Sequence, residues 1–297
     1  MLYNNLSGYL RKKYGMRLGK ICIDGGFSCP NRDGTCGEGG CIFCGERGAG
    51  EHIEAALSIR EQVESALQRA SGDDRFIAYF QNYTNTYADV ETLKERYDAA
   101  LIDERITVLA IGTRPDCIDE EKAKLIASYK DRCDVWVELG LQTSRDDTAD
   151  LINRGYKTEV FDRAVGILKK HGIDTVAHMI IGLPGESRTD AQNTARHIVN
   201  QGVFGIKIHS IYVMAGTRLA ELYEKGEYSP PTLKEYADTV CDILALLPKE
   251  TVVHRLTGDC PRDMLVAPEW NRDKNKILSE ITSYMTERGI HQGVLLE

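Results

Sequence analysis

The sequence predicts an α/β fold, a partial (β/α)6 barrel of the TIM type with N- and C-terminal extensions. Three observations carry this prediction. Short apolar strands alternate with helical segments across most of the chain, and no Pro/Gly/Ser-rich linker interrupts them. Alternation of this kind favours a parallel sheet with helical crossovers. Each predicted strand also runs into a loop of glycine and polar residues, the loops from which α/β barrels build their active sites. Finally, a cysteine-rich loop, Cys29-Pro-Asn-Arg-Asp-Gly-Thr-Cys-Gly-Glu-Gly-Gly-Cys-Ile-Phe-Cys44, follows the first apolar run, Ile21-Cys22-Ile23. The expected division is a basic arm or helix over 1–19, the partial barrel over 20–220, and a helical extension over 221–297 with room for one more strand.

In chain order, residues 6–16 have the pattern of a short amphipathic helix. A first strand is expected over 20–24, and Ser58-Ile-Arg-Glu61 is a capping box opening a helix to about residue 70. Further strands are expected at 75–80, 107–111, 134–139, 175–181 and 204–211. Helical periodicity fills the intervals at 90–102, 119–129, 146–153, 158–170 and 189–200, with Gly172 as a stop signal. Beyond these, 232–247 reads as a helix, 252–256 as a seventh strand and 275–288 as the last helix.

Composition narrows the class. With 297 residues, 42% hydrophobic and 28% charged, the chain is an ordinary globular protein. It has no apolar run long enough to span a membrane and no apolar signal core at its start, so a cytoplasmic location without membrane contact is expected. Nine cysteines without framework spacing read as reduced thiols. The net charge of −8 argues against a generally basic, nucleic-acid-coated surface. Locally, Arg11, Lys12, Lys13, Arg17 and Lys20 form a basic stretch without an acid. It is read either as a solvated face or as a phosphate-contacting edge beside the cysteine loop.

Closely spaced thiolates select zinc, copper(I) or an iron–sulfur cluster. Cys41-x-x-Cys44 is a two-ligand clip with Cys29 upstream, but the chain has no second clip to complete a structural zinc site. Three ligands without a fourth point to a cluster with one open iron.

The ordered motifs resemble the radical S-adenosylmethionine (SAM) enzymes, and most closely the YtqA/YhcC-like (MnmL) group. The phrases that carry the resemblance are Asp24-Gly-Gly-Phe-Ser-Cys-Pro-Asn-Arg-Asp-Gly34, Tyr79-Phe-Gln-Asn-Tyr-Thr-Asn-Thr-Tyr87, Gly112-Thr-Arg-Pro-Asp-Cys117, Glu138-Leu-Gly-Leu-Gln142, Gly182-Leu-Pro-Gly-Glu186 and Arg255-Leu-Thr-Gly-Asp259. The middle of the chain is also similar to the radical domain of elongator's catalytic subunit and to oxygen-independent coproporphyrinogen oxidase. The resemblance implies a [4Fe–4S] cluster held by Cys29, Cys41 and Cys44, with Cys36 a bystander, and SAM bound at the open iron. It further implies that Gln81, Asn82, Thr84, Glu138, Gln142, Arg154, Ile180, Gly182, Tyr212 and Val213 meet SAM. For Arg154, a solvent-facing position in a helix–helix turn is the competing reading. His178 and His209 lie on strands, where histidines are usually packed and hydrogen-bonded.

For substrate, the group's association implies maturation of the wobble uridine of tRNA, from 5-carboxymethylaminomethyl-uridine to the 5-aminomethyl form. A partner methyltransferase would act downstream, and a flavodoxin or ferredoxin would supply electrons. On this reading Arg114, Lys207 or Arg255 meets the substrate carboxylate with Asp259 nearby. Trp270 or Tyr83 stacks the base, and Arg262, Arg272, Lys274 and Lys276 meet phosphates. The alternatives are the same chemistry on a small-molecule or protein substrate, and a non-enzymatic zinc-binding interaction protein.

Overall fold

The computed structural model describes residues 2–46, 48, 57–71 and 74–296. The chain opens with α1 (Leu6–Tyr14) and β1 (Leu18–Ile23), followed by α2 (Ile59–Gln68), β2 (Arg75–Phe80), α3 (Val90–Ala100) and β3 (Ile106–Thr113). Next come α4 (Glu120–Ser128), β4 (Asp134–Gln142), α5 (Asp146–Leu151), α6 (Thr158–Lys170), β5 (Asp174–Ile181) and α7 (Arg188–Asn200). The last third holds β6 (Gly205–Ser210), β7 (Val213–Met214), α8 (Arg218–Glu224), α9 (Leu233–Leu246), β8 (Val252–Arg255), β9 (Leu265–Ala267) and α10 (Lys274–Glu287). The capping box at Ser58 forms, with Glu61 returning to the Ser58 amide, and equivalents cap α7 at Ser187 and α9 at Thr232.

Seven strands form one parallel sheet in the order β1-β2-β3-β4-β5-β6-β8. Because β1 and β8 are its two edges, the barrel stays open between them. The strand expected at 252–256 is β8, hydrogen-bonded in register beside β6 (Gly205 with Val252), and it completes the barrel's own sheet. A two-stranded antiparallel ribbon of β7 and β9 lies outside this sheet, and no periodicity announces strands so short.

The outward face of the sheet buries Ile21, Ile23, Ala78, Phe80, Leu109, Ile111, Val137 and Leu139 against Leu93, Tyr97, Ile126, Phe161 and Leu168 of the helices. Each such side chain contributes ~1.5–3 kcal/mol on burial. The inward face is apolar only at its lower end. There Leu10 of α1 packs with Leu18, Ile77, Val108, Trp136 and Val176, and Tyr9 meets Phe204 edge-on at 5.2 Å.

This places α1 at the N-terminal ends of the strands, where it plugs the barrel. Lys13 pairs with Asp134 at 2.6 Å, and an isolated parallel bridge joins Asn5 to Val253 of β8. The cysteine loop leaves the other end of β1. Of the two readings of the basic stretch, an edge beside that loop is thus corrected and a solvated face remains: apolar packing of Leu10 decides where the helix goes, and its lysines and arginines follow. Lys20 alone projects from β1 above this plug.

Leu10→Ala should lower the unfolding free energy by ~2–4 kcal/mol in urea titration. Arg11→Glu, on the exposed face, should change it by less than about 0.5 kcal/mol. Equal losses from the two would contradict the plug.

Candidate active site

A cavity of about 230 Å³ opens at the C-terminal ends of the strands. Its upper wall includes Cys29, Cys41, Cys44, Arg32 and Phe43, and its floor includes Tyr79, Glu138, His178, Lys207, His209 and Arg255. None of the nine cysteines is in a disulfide.

The cysteine loop is held in shape from its own backbone and from across the barrel. Arg32 N–H donates to Cys29 O at 2.8 Å, Cys36 N–H to Pro30 O at 2.8 Å and Gly40 N–H to Asn31 O at 2.8 Å. Asn31, fully buried, donates through Nδ2 to Asn153 O at 2.6 Å, and Asn153 Nδ2 returns a bond to Gly40 O at 2.8 Å. The same Asn31 amide reaches Cys41 Sγ at 3.9 Å. A Cβ at position 37 would lie 2.4 Å from Asn31 Oδ1, so only glycine fits there. Arg32 crosses back to the carbonyls of Cys44 (3.3 Å) and Gly45 and lies over the Tyr83 ring.

The Cys41 thiol is held below its ordinary range, to about 7, chiefly by the hydrogen bond from Cys44, with Arg114 and Asn31 adding to this against burial. Cys44, the donor, is pushed up. Cys36 points away from this wall, exposed, with its Sγ 4.0 Å from Asp116. Among the described residues, no three His, Cys, Asp or Glu side chains converge on a single-ion site.

Among the described residues, three non-glycine residues sit at positive φ, namely Tyr83 (56°), Gln142 (65°) and Asn153 (54°). Tyr83 and Gln142 line the cavity and Asn153 anchors its loop. Backbone strain of this kind costs ~1–3 kcal/mol per residue and tends to collect at functional sites. At the end of β4 the register slips between Gly140 and Gln142, and a Cβ at 140 would lie 2.8 Å from Gln142 Nε2.

Of the residues expected to meet SAM, Gln81, Thr84, Glu138, Gln142, Arg154, Ile180 and Tyr212 lie on the cavity wall. Asn82, Gly182 and Val213 do not. Asn82 is buried and donates to Asp24 at 2.7 Å. Gly182, at φ +93°, lies where a Cβ would meet Pro231 and Ile211, and Val213 packs in the cluster behind Ile180. Two wall residues are already engaged by the chain itself. Arg154 is 1% exposed, not solvent-facing. It donates to the carbonyls of Leu141, Thr143 (2.6 Å) and Tyr156 (3.0 Å), which spends its guanidinium on tying the end of β4 to the turn after α5. Glu138 accepts from Trp136 Nε1 (3.1 Å), His178 Nε2 (2.9 Å) and Lys207 Nζ, so its carboxylate is engaged by three donors of the chain.

The expected substrate cations are redistributed in the same way. Arg114 forks onto Asp116 at 2.6 and 3.0 Å and donates to Arg154 O at 2.9 Å. Lys207 is buried against Glu138, and Arg255 meets Asp259 at 3.3 Å. Trp270 is absent from the cavity wall. Its indole stacks on Tyr236 at 5.3 Å and donates to Pro231 O at 3.1 Å. Tyr83 does reach the wall, with its hydroxyl bonded to Glu46 O at 2.6 Å.

Sequence reasoning missed Tyr79, Tyr156 and Arg32, and undervalued His178 and His209. The inward alternation along β2, β5 and β6 was the available signal, since polar residues at those positions face the barrel interior. Burial would raise the Glu138 carboxyl, but Lys207 and His178 overcome it and hold the group well below the usual range. Lys207 is lowered to about 7 by burial, with Glu138 opposing and Lys20 and Arg255 adding to the depression.

Two buried atoms on the wall, Thr84 Oγ1 and His209 Nε2, have no partner among the described residues. Free thiols on one side and orphaned polar atoms on the other fit a cluster plus a polar ligand. Cys29, Cys41 and Cys44 would hold the cluster.

A family model described as Radical SAM superfamily matches residues 33–198, more than half of the chain, and one described as Radical_SAM C-terminal domain matches 203–287. The YtqA protein of Bacillus subtilis is 38% identical over 295 residues, spanning 98% of this chain and 92% of the relative. Protein YhcC of Escherichia coli K12 is 36% identical, spanning 99% and 96%. A tRNA uridine(34) acetyltransferase of Methanocaldococcus infernus is 28% identical over 81% of this chain and 46% of its own. Among solved structures, Elp3 of the same archaeon, lacking its N-terminus, superimposes with a TM-score of 0.70 at 19% identity. That likeness covers 93% of this chain and 64% of Elp3, and it reports on the fold.

Glu138→Gln and Lys207→Met should each destabilise the fold by ~3–5 kcal/mol, because each leaves a buried partner unpaired, whereas the double variant should lose less than the sum. The Glu138 carboxyl lies below its unfolded value. Its stabilisation is therefore present above pH about 4.3 and lost as pH falls further, a loss that Glu138→Gln should not show in acid titration.

Proposed function

Because the chain belongs to the radical SAM superfamily, we propose that this enzyme matures the wobble uridine of tRNA, converting 5-carboxymethylaminomethyl-uridine to 5-aminomethyl-uridine. The observation that carries the reading is one cavity shared by three free cysteines and a polar, cation-rich floor. The similarity to proteins named tRNA uridine(34) acetyltransferases supports tRNA as the substrate class.

Cys29, Cys41 and Cys44 hold a [4Fe–4S] cluster, and Gln81, Thr84, Gln142, Ile180 and Tyr212 wall the space for SAM. When bound, cluster and SAM supply a 5′-deoxyadenosyl radical that removes hydrogen from substrate. The chain's own contribution is to position, to exclude water and to hold charge. Asn31 donates toward Cys41 Sγ, and hydrogen bonds to cluster sulfurs tune their potential. Ile180 and Ile211 give the wall an apolar face, and Tyr212, pushed up by burial, stays a neutral phenol. The carbon between amine and carboxylate is the favoured site of hydrogen loss, since nitrogen stabilises the resulting radical. Transfer of one electron from that radical to an acceptor such as the oxidised electron-transfer protein would leave an iminium, whose hydrolysis would release glyoxylate and the 5-aminomethyl group. A flavodoxin or ferredoxin fits the role of reductant, and a methyltransferase would take the product onward. No helix among the described residues is long and apolar enough to cross a membrane.

A second reading, with a small-molecule carboxylate as substrate, is favoured by the net charge of −8 and by the location of the basic helix at the closed end of the barrel.

Anaerobic protein reconstituted with iron and sulfide, then given SAM and reductant, should form 5′-deoxyadenosine. Alanine at Cys29, Cys41 or Cys44 should each reduce this at least about 10³-fold, whereas Cys36→Ala should retain it. An active Cys41→Ala protein would refute the ligand set. Product formation on tRNA carrying 5-carboxymethylaminomethyl-uridine, followed by nucleoside mass spectrometry, separates the two substrate readings.

A further inference from the structure

The inward face of the sheet below the cysteines carries more positive charge than its carboxylates neutralise. Glu138 and Lys207 form a buried pair in which each offsets the other. Asp259 is met by Arg255 at 3.3 Å and, from outside, by half-exposed Lys274 at 2.7 Å. Lys20 extends over the Tyr79 ring with its ammonium 4.8 Å from the centroid, and Lys207 lies 4.4 Å from the same centroid. Among the described residues, Lys20 meets no carboxylate within ion-pair distance. The strand register places Cys22 beside Tyr79, His178 beside Lys207, and Lys207 beside Arg255, so these groups share one surface. His209 lies 5.2 Å from the His178 ring on the same wall, and its buried Nε2 has no partner among the described residues.

A buried polar atom left unpaired costs ~1–3 kcal/mol until a ligand or water meets it. Burial keeps both imidazoles neutral, and while His178 is held by Glu138, His209 Nε2, without a partner among the described residues, can meet a ligand without adding charge. Lys20, Lys207, Arg255 and Lys274 against Glu138 and Asp259 leave this surface net positive. An anion balances that excess, and a carboxylate is the anion of the proposed substrate.

We propose that Lys20, Arg255 and His209 form an anion site that takes a single compact carboxylate of the substrate, with the Glu138–Lys207 pair positioning it from beneath. This deepens the tRNA reading, and in its choice of a carboxylate-bearing amine it rests on that reading. Lys20 belongs to the basic stretch of the sequence, yet β1 turns it away from the helix surface and into the barrel.

Cys22, exposed on the same face, supplies the test. Cluster-loaded protein kept anaerobic is treated in parallel with iodoacetate and iodoacetamide, and alkylation of Cys22 and Cys36 is followed by peptide mass spectrometry. A cation-lined pocket concentrates the anionic reagent, so the iodoacetate-to-iodoacetamide rate ratio at Cys22 should exceed that at Cys36 at least about fivefold. Lys20→Met should bring the two ratios together, and Lys20→Arg should restore the difference. N-methylglycine should protect Cys22 from iodoacetate more strongly than inorganic phosphate does, and N-methylglycinamide should not protect it. Equal ratios at the two cysteines, a ratio indifferent to Lys20→Met, or protection by phosphate equal to that by N-methylglycine would overturn the proposal. Adding tRNA with 5-carboxymethylaminomethyl-uridine should protect Cys22, and tRNA with 5-methylaminomethyl-uridine should not. If neither tRNA protects while N-methylglycine does, the tRNA reading fails and the carboxylate site stands.

Discussion

The chemistry of this protein depends on two amide hydrogen bonds that tie the cysteine loop to Asn153. Asn31 donates to Asn153 O at 2.6 Å, and Asn153 donates to Gly40 O at 2.8 Å. The long spacer between Cys29 and Cys41 is irregular backbone, and such a segment has no ladder of its own to hold three sulfurs on one wall. Fixing each residue of a loop costs roughly 1–2 kcal/mol of entropy, so the loop needs partners from elsewhere in the fold. The turn after α5 supplies them. Asn153 in turn takes a positive φ to present its amide, and Ile152 O receives the Ile42 N–H at 3.1 Å. Cysteine loop and barrel are thereby one unit.

Strain and buried charge collect around the same cavity. Arg154 is almost completely buried, yet it has backbone carbonyls on several sides and the Tyr156 ring 4.5 Å from its guanidinium carbon. Arg114 lies over the same ring at 4.8 Å and forks onto Asp116. A guanidinium held in this way is pre-organised, and its charge persists close to the cysteines without being free to move. The floor is built differently. Glu138 gathers an indole, an imidazole and an ammonium, and a network satisfied at every atom specifies one arrangement where a partly satisfied one would be costly.

These two layers divide the labour of the site. The upper layer, rich in sulfur and guanidinium, suits an anionic cluster and the charged end of SAM. The lower layer mixes cations with neutral imidazoles, and Tyr79 lies at its centre. An open barrel makes this division feasible. Between the edges β1 and β8 the inward face is not sealed by strands, so Lys20 and Cys22 of β1 remain reachable.

The strand-and-helix alternation was legible from sequence because apolar period and capping residues are local properties. The capping box at Ser58 and the strand at Arg75–Phe80 are found where the pattern puts them. Cysteine spacing was equally legible, because it is a property of one short segment. Tertiary structure alone decided what each charged side chain faces. Arg154 read either as a SAM contact or as a solvent-facing turn residue and is buried, and the basic stretch, read either as a solvated face or as an edge beside the cysteine loop, lies largely on a helix that plugs the opposite end. Lys20, the last cation of that stretch, extends from β1 over the Tyr79 ring. An ion pair such as Lys207 with Glu138 joins strands 69 residues apart, and only the folded sheet brings such partners within bonding distance. Local sequence carries the geometry of the backbone, whereas a charge acts on whatever the fold places beside it.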